Sequence, residues 1–319
     1  MTDSLEAAHG HGTRAIVAAL VANLGIAVAK FIGFLLTRSS SMLAEAGHSL
    51  ADTTNQFLLL VGGRQAKRHA DDTHPFGYGM SRYFWSFVVA LILFSMGSLF
   101  ALYEGFSKLG NPHELERPMV AIAILVVAIG LESYSFRTAV VESRPLKGEQ
   151  SWWKFIRTAK VPELPVLLLE DSGALVGLVI AVASITMAQI TGNAMWDAYG
   201  TIAIGALLGA IAIVLIVEMR SLLLGESASK ADIARISSAV SGHPSVHRLI
   251  HMRTMHLGPE ELLVAAKVDL DPTLSFLEVA AIIDETEALV RAAVPTALRI
   301  YLEPAMYDPD RPIGRSASG

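Results

Sequence analysis

His48 and Asp52 stand four residues apart in a stretch, 41–63, that is otherwise apolar enough to cross a lipid bilayer. Ionisable side chains inside a membrane span are costly, so each is a functional candidate. Ser41, Glu45, His48, Asp52, Asn55 and Gln56 fall at helical offsets 0, 4, 7, 11, 14 and 15, which puts them in one stripe along one helix face. An imidazole nitrogen and a carboxylate oxygen on one face suit Zn²⁺ and, less selectively, other first-row divalent cations. The bland alternative is a polar stripe that packs against a neighbouring helix. A complement lies in the fifth apolar stretch, where PVLLLEDSGALVGLVIAV carries Glu170 and Asp171. At 1.5 Å per residue, Asp171 lies roughly 13 Å from the inner end of its span, and His48 roughly 10 Å from the outer end of an oppositely directed one. Antiparallel neighbours would bring the two together, and two carboxylates with an imidazole would offset a divalent charge. The alternative for Glu170 and Asp171 is structural pairing with a basic group, for which Lys30 alone lies at matching depth. Asn23 and Lys30, at i and i+7, share a face of the first span; they line the same cavity, or Lys30 snorkels outward. Glu132, five residues before Arg137 in the fourth span, reads as an ion-pair member at least as well as a transport residue.

Six stretches could position these groups. They lie near 14–37, 41–63, 82–108, 118–138, 162–191 and 195–223, and each is long enough for a hydrocarbon core of about 30 Å. Backbone groups in lipid must pair within their own segment, so the stretches are expected to be helices. Arg64, Lys67, Arg68 and Arg82 follow the second span, and six more basic residues separate the fourth from the fifth. The opposite side holds Arg38, Lys108 and Arg117, so both termini are expected in the cytoplasm.

The 319 residues are 52% hydrophobic and 17% charged, which excludes a disordered or collagenous chain. There is no cysteine, so a thiolate metal site and a cysteine nucleophile are excluded and any metal must be held by nitrogen and oxygen. A net charge of −5 argues against nucleic acid as a partner. Residues 1–13 read as a cytoplasmic leader, with His9 and His11 as a weak metal-capture segment, and 14–225 as a six-helix transmembrane domain. Residues 226–305 read as a cytoplasmic domain and 306–319 as a flexible tail. Beyond residue 225 there are 13 acidic and 9 basic residues, so most of the net charge is there. The pattern in that part predicts helix (229–242), strand (246–256), strand (261–269), helix (275–293) and strand (297–303). Leu257-Gly258-Pro259 turns between the first two strands and Asp271-Pro272 ends the second. A ferredoxin-like α/β domain fits that order.

The segments SSSMLAEAGHSLADTTNQ (39–56) and ADDTHPFGYG (70–79), together with the fifth-span acids and the tail after six spans, resemble the cation diffusion facilitator family of divalent-metal/proton antiporters. The resemblance covers about residues 14–305. It implies a homodimer with six spans per subunit, a transport site between the second and fifth helices, and a ferredoxin-like cytoplasmic domain. Three departures stand out. The family's site is similar to a tetrahedral set with an HxxxD or DxxxD pair on both helices, whereas Leu167 stands four residues before Asp171 here. Glu170 is one position off that face; a Glu-Asp pair on the fifth helix resembles a subgroup of the family. Tyr78 replaces the second His of a bridging site in the loop, leaving Asp71, Asp72 and His74, a set that reads as a turn before it reads as a metal site. In the tail, Ile250, Lys267 and Tyr301 occupy the positions of relatives' ligands, and His243, His247, His251, His256 and Glu303 remain as a weak separate site.

The expected function is export of a divalent metal from the cytoplasm by proton-coupled alternating access. His48, Asp52 and Asp171, with Glu170 as an added candidate, bind the ion; Glu45, Asn55, Gln56 and Asn23 line the path. Ligands must be deprotonated to coordinate, so protons arriving from outside would compete the metal off, with His48 the natural carrier. Zn²⁺ leads on the imidazole, and Mn²⁺, Fe²⁺, Co²⁺ and Ni²⁺ stay open. No prosthetic group is expected; the partners are metal ions, protons, lipid and a second copy, and the location is the cell inner membrane. The alternatives are a non-transporting metal sensor or scaffold of the same fold and, further off, an intramembrane metal enzyme, for which no HExxH or GxSxG string appears in the spans.

Overall fold

The computed structural model describes residues 17, 20, 21, 23–32, 35, 40–110 and 118–310, with backbone alone for 40–48 and 51. The leader with His9 and His11, and the tail beyond residue 310, lie outside the described residues. The chain forms two compact units: one from residues up to Arg68 and from Ser81–Arg220, the other from His69–Met80 and from Ser221 onward.

The first unit is helical. Its elements are α1 (Asn23–Ile32), α2 (Ser40–Gln65), α3 (Ser81–Gly110), α4 (Pro118–Lys147), α5 (Trp152–Thr158), α6 (Glu163–Thr191) and α7 (Met195–Leu224). Four of them, α3, α4, α6 and α7, are 29 or 30 residues long and apolar enough to cross a membrane. The six expected spans are therefore seen as four. The 26-residue α2 is long enough, but its polar stripe dilutes its apolar character, and the first span falls only partly within the described residues. Outward-facing Phe84, Val126, Val179, Ile190 and Ile213 are about half exposed or more, as side chains turned to lipid would be.

Close packing in this unit is set by small residues. Gly205 and Gly209 lie one turn apart on α7, and a Cβ at Gly209 would come within 2.6 Å of Ser98 Oγ on α3. That hydroxyl donates to the Gly205 carbonyl at 2.8 Å. Ser98 belongs to a π-helical segment, Leu93–Leu99, within α3. At the helix starts, Arg82 of α3 and Glu163 of α6 form a buried two-pronged ion pair, with Nη2 and Oε2 2.8 Å apart. Arg82 thus serves as an internal fastener as well as one of the expected loop charges. The α4 helix runs nine residues past its predicted end at 138, because once outside lipid its polar sequence continues to satisfy its own backbone bonds.

The second unit follows the order α8 (Lys230–Ser241), β1 (Arg248–Gly258), β2 (Glu261–Asp269), α9 (Phe276–Ala293), β3 (Arg299–Ala305). Each expected element of the tail is present, with its ends within two residues. The strands lie in the order β1-β2-β3; β1 and β2 are antiparallel, and β2 and β3 parallel with Val264 beside Ile300. Strand β2 alternates as its sequence requires, turning Leu262, Val264, Ala266 and Val268 into a core shared with Ile236, Val240 and Val290. A capping box between Ser275 and Glu278 starts α9. The ferredoxin-like expectation is narrowed: that fold splits its parallel pair with a strand in between, whereas here α9 crosses directly between neighbouring strands.

The loop His69–Met80 belongs to this unit. Gly79 lies against the β1–β2 turn so closely that a Cβ there would stand 2.6 Å from the Leu257 carbonyl oxygen.

Candidate metal site

Consecutive residues of an α-helix point about 100° apart, which decides what Glu170 and Asp171 can reach. Glu170 turns to α2, where Asn55 Nδ2 donates to its Oε1 at 3.1 Å. Asp171 turns to α4, where Ser135 Oγ donates to its Oδ2 at 2.8 Å. Both acids are buried, Asp171 to 1% exposure. The stripe on α2 is occupied in the same way: Asp52, Asn55 and Gln56 are buried, and Asn23 Nδ2 donates to Gln56 Oε1 at 3.2 Å. The side chains of Glu45 and His48 lie outside the described residues, although both positions are helical.

Asp52, Lys30 and Glu132 line one small cleft of about 50 Å³, together with Ser49, Gly173 and Gly177. Four polar atoms on α2, α4 and α6, Asn55 Oδ1, Gln56 Nε2, Glu132 Oε2 and Glu170 Oε2, are buried with no hydrogen-bond partner among the described residues. Leaving such a group unpaired costs about 1–3 kcal/mol, so their concentration in one place calls for a ligand or protons. Leu167, where a fourth ligand would stand on α6, is fully buried.

Among the described residues no three His, Asp or Glu side chains stand together as a ready metal shell. Asp52 and Glu132 instead line the cleft, while Glu170 and Asp171 are tied to Asn55 and Ser135, and coordination by those two would require them to exchange these bonds for the ion.

Two contributors were not singled out from sequence. Ser135 is one, and its signal was available: the buried face of α4 runs Ala121, Leu125, Ala128, Glu132, Ser135, Ala139, Ser143, at spacings of three and four. The other is the buried face itself, which makes Glu132 a cleft residue and not a partner of Arg137.

The weaker candidate sites are built differently. Asp71 Oδ1 accepts from the Thr73 amide, the Thr73 hydroxyl and the His74 amide, while Tyr78 donates to Oδ2 at 2.7 Å. These bonds, led by the Thr73 hydroxyl, hold the Asp71 carboxyl well below the usual carboxylate range. His74 stacks on Tyr78 with ring centroids 4.2 Å apart. The set Asp71, Asp72 and His74 therefore forms a turn, with Tyr78 completing it. In the tail, His243 Nε2 lies 2.9 Å from Glu285 Oε2, and Glu303 pairs with Lys267 at 2.8 Å. These pairings divide His243, His247, His251, His256 and Glu303, which are not gathered into one site.

Comparison with known proteins adds the family. The family described as the cation efflux transmembrane domain matches residues 16–224. The chain is 33% identical over 255 residues to the human proton-coupled zinc antiporter SLC30A9, mitochondrial, covering 78% of this chain and 45% of that protein. It is 28% identical to metal tolerance protein C4 of Arabidopsis thaliana, covering 82% of this chain and 58% of that protein. With the metal cation efflux system protein CzcD of Cupriavidus metallidurans it shares 25% identity over 80% of this chain and 76% of that protein. The chain thus spans about half the length of the human and plant relatives. Among solved structures, a MamM-CTD variant is similar at 22% identity and a TM-score of 0.24, over 25% of this chain and 94% of that one. With the profile spanning the helical unit and relatives named as transporters, the chain belongs to the cation diffusion facilitator family as a multi-pass membrane protein.

Proposed function

We propose that the chain exports a divalent metal cation, Zn²⁺ first, from the cytoplasm in exchange for protons, by alternating access. The observation that carries this reading is the group of four buried acids, Asp52, Glu132, Glu170 and Asp171, among helices long enough to cross a membrane. Buried carboxylates in apolar surroundings must be offset by protons or by a cation. Competition between the two is what an antiporter needs. His48, Asp52 and Asp171 bind the cargo, with Glu170 releasing Asn55 to join them. Asn55 holds Glu170 in register, Gln56 and Asn23 brace α2 against α1, and Glu45 is assigned to the path. The same reading has both termini in the cytoplasm, a homodimer as the working unit, and a map of leader 1–13, transmembrane domain 14–225, cytoplasmic domain 226–305 and tail 306–319. Relatives named as a zinc antiporter and as metal efflux proteins support the choice of cargo and of proton coupling.

The test is flux into proteoliposomes of the full chain, with Zn²⁺, Mn²⁺, Fe²⁺, Co²⁺ and Ni²⁺ each offered under an imposed pH gradient. Zn²⁺ is expected to move fastest, and His48→Ala and Asp52→Ala to abolish its movement. No flux of any ion overturns the reading. One observation favours a second reading, a metal sensor without transport: the α6 position of the family's fourth ligand is Leu167. Metal-dependent structural change without flux would favour that reading.

A further inference from the structure

Lys30 is the basic residue that the transport reading leaves without a task. A lysine on a membrane span ordinarily extends its ammonium to the interface. Here Lys30 is 4% exposed and lines the cleft beside Asp52 and Glu132. Its charge and that of Glu132 act on each other, and Glu132 is within electrostatic range of Asp52 and Asp171 as well. Apart from Arg82, which is committed to Glu163, Lys30 is the one buried lysine or arginine among the described residues.

We propose that Lys30 is a tethered counter-cation of the transport cleft, a built-in competitor for the divalent cargo. The inference rests on the transport reading and extends it. In the cargo-free protein the ammonium offsets part of the charge of the cleft, Glu132 included, at a place that the cargo's own charge must take over. The ammonium is a compact charge on a flexible four-carbon stem, so it can shift while the stem stays packed. Glu132 is the seat to which it withdraws: its Oε2 accepts no hydrogen bond among the described residues, and it stands on α4, not on the ligand-bearing α2 or α6. A divalent ion outcompetes a monovalent ammonium for the ligand carboxylates. On release, the lysine returns and helps to expel the ion. Lys30 is accordingly a positioning residue for charge, not a ligand.

The experiment is equilibrium binding of ZnCl₂ to the purified full chain in detergent at one fixed pH, by competition with a chromophoric chelator, alongside flux. Removing a nearby like charge should tighten binding, so Lys30→Met and Lys30→Gln are each expected to lower the apparent Kd at least about tenfold while slowing turnover. Glu132→Gln, which removes the seat, is expected to weaken binding. The double variant Lys30→Met/Glu132→Gln restores the charge balance and is expected to return to within about threefold of the wild type. A purely structural lysine would give weaker binding in both single lysine variants and no recovery in the double, and that result overturns the inference. Binding in Lys30→Met and Lys30→Gln equal to the wild type overturns it as well. Asp52→Ala separates the two readings: if it abolishes Zn²⁺ binding while the Lys30 variants change nothing, only the counter-cation fails. If Asp52→Ala leaves binding intact, the transport site and this inference fall together.

Discussion

Asp71 and Glu170 are both carboxylates, and their hydrogen bonding runs opposite to their exposure. Asp71, on the exposed loop of the second unit, accepts from four donors. Glu170, buried among apolar helices, accepts one hydrogen bond from Asn55, and its second oxygen has no partner among the described residues. Water could have served Asp71 for nothing, yet the fold completes it. Glu170 has the greater need and is left incomplete. On the proposed transport reading, the difference separates a polar group used to hold a shape from one kept ready for an incoming charge. The same contrast exists inside the membrane unit, where Arg82 and Glu163 satisfy each other while Glu132 and Glu170 each keep one oxygen without a hydrogen-bond partner among the described residues.

The contrast can be broken from its completed side. Arg82→Ala leaves Glu163 buried without its cation, a change that typically costs about 3–5 kcal/mol. The expected result is loss of most folded protein in detergent, read by thermal unfolding monitored by size exclusion; a wild-type melting profile would remove the ion pair from the structural set. Gly209→Val is expected to cost about 1–3 kcal/mol by forcing α7 from Ser98, a smaller drop in the same assay. Ser275→Ala removes the capping box of α9 and is expected to cost about 1 kcal/mol, seen as faster amide exchange confined to the first turn of Phe276–Ala293.

The smallest effect concerns Asp71 and pH. Its folded-state value is depressed, so its contribution to loop order is present above the ordinary carboxylate value of about 4 and is lost as pH falls below it. Asp71→Asn is expected to loosen His69–Met80 at neutral pH, and the wild type to approach the variant only in acid. Amide exchange of the loop checks both halves of that statement, and a loop equally ordered in both proteins at neutral pH would contradict it.

How much of this could be read from the chain divides along the same line. The second unit was legible almost to the residue because its ends are written locally: Leu257-Gly258-Pro259 turns, Asp271-Pro272 stops a strand, and Ser275 caps a helix. The parallel seating of β3 beside β2 was not, since strand order depends on how α9 packs. On the membrane side the stripe from Glu45 to Gln56 and the pair Glu170–Asp171 stood out because polar residues interrupt apolar runs. Their partners did not. Ser135 and Asp171 are 36 positions apart, Asn55 and Glu170 are 115, and Arg82 and Glu163 are 81, and no local pattern encodes a meeting at that separation. The short helix α5 escaped notice for a related reason: seven residues started by a Ser151 cap carry too little periodicity to read.

The central claim is that the buried acids exchange protons for a divalent metal. It is tested most directly by recording Zn²⁺ entry and internal pH together in proteoliposomes of the full chain, for the wild type and for Asp171→Asn. The wild type should show metal movement matched by opposite proton movement, and Asp171→Asn should lose both by at least about a hundredfold. Zn²⁺ movement without any proton counterflow, or undiminished exchange in Asp171→Asn, would contradict it.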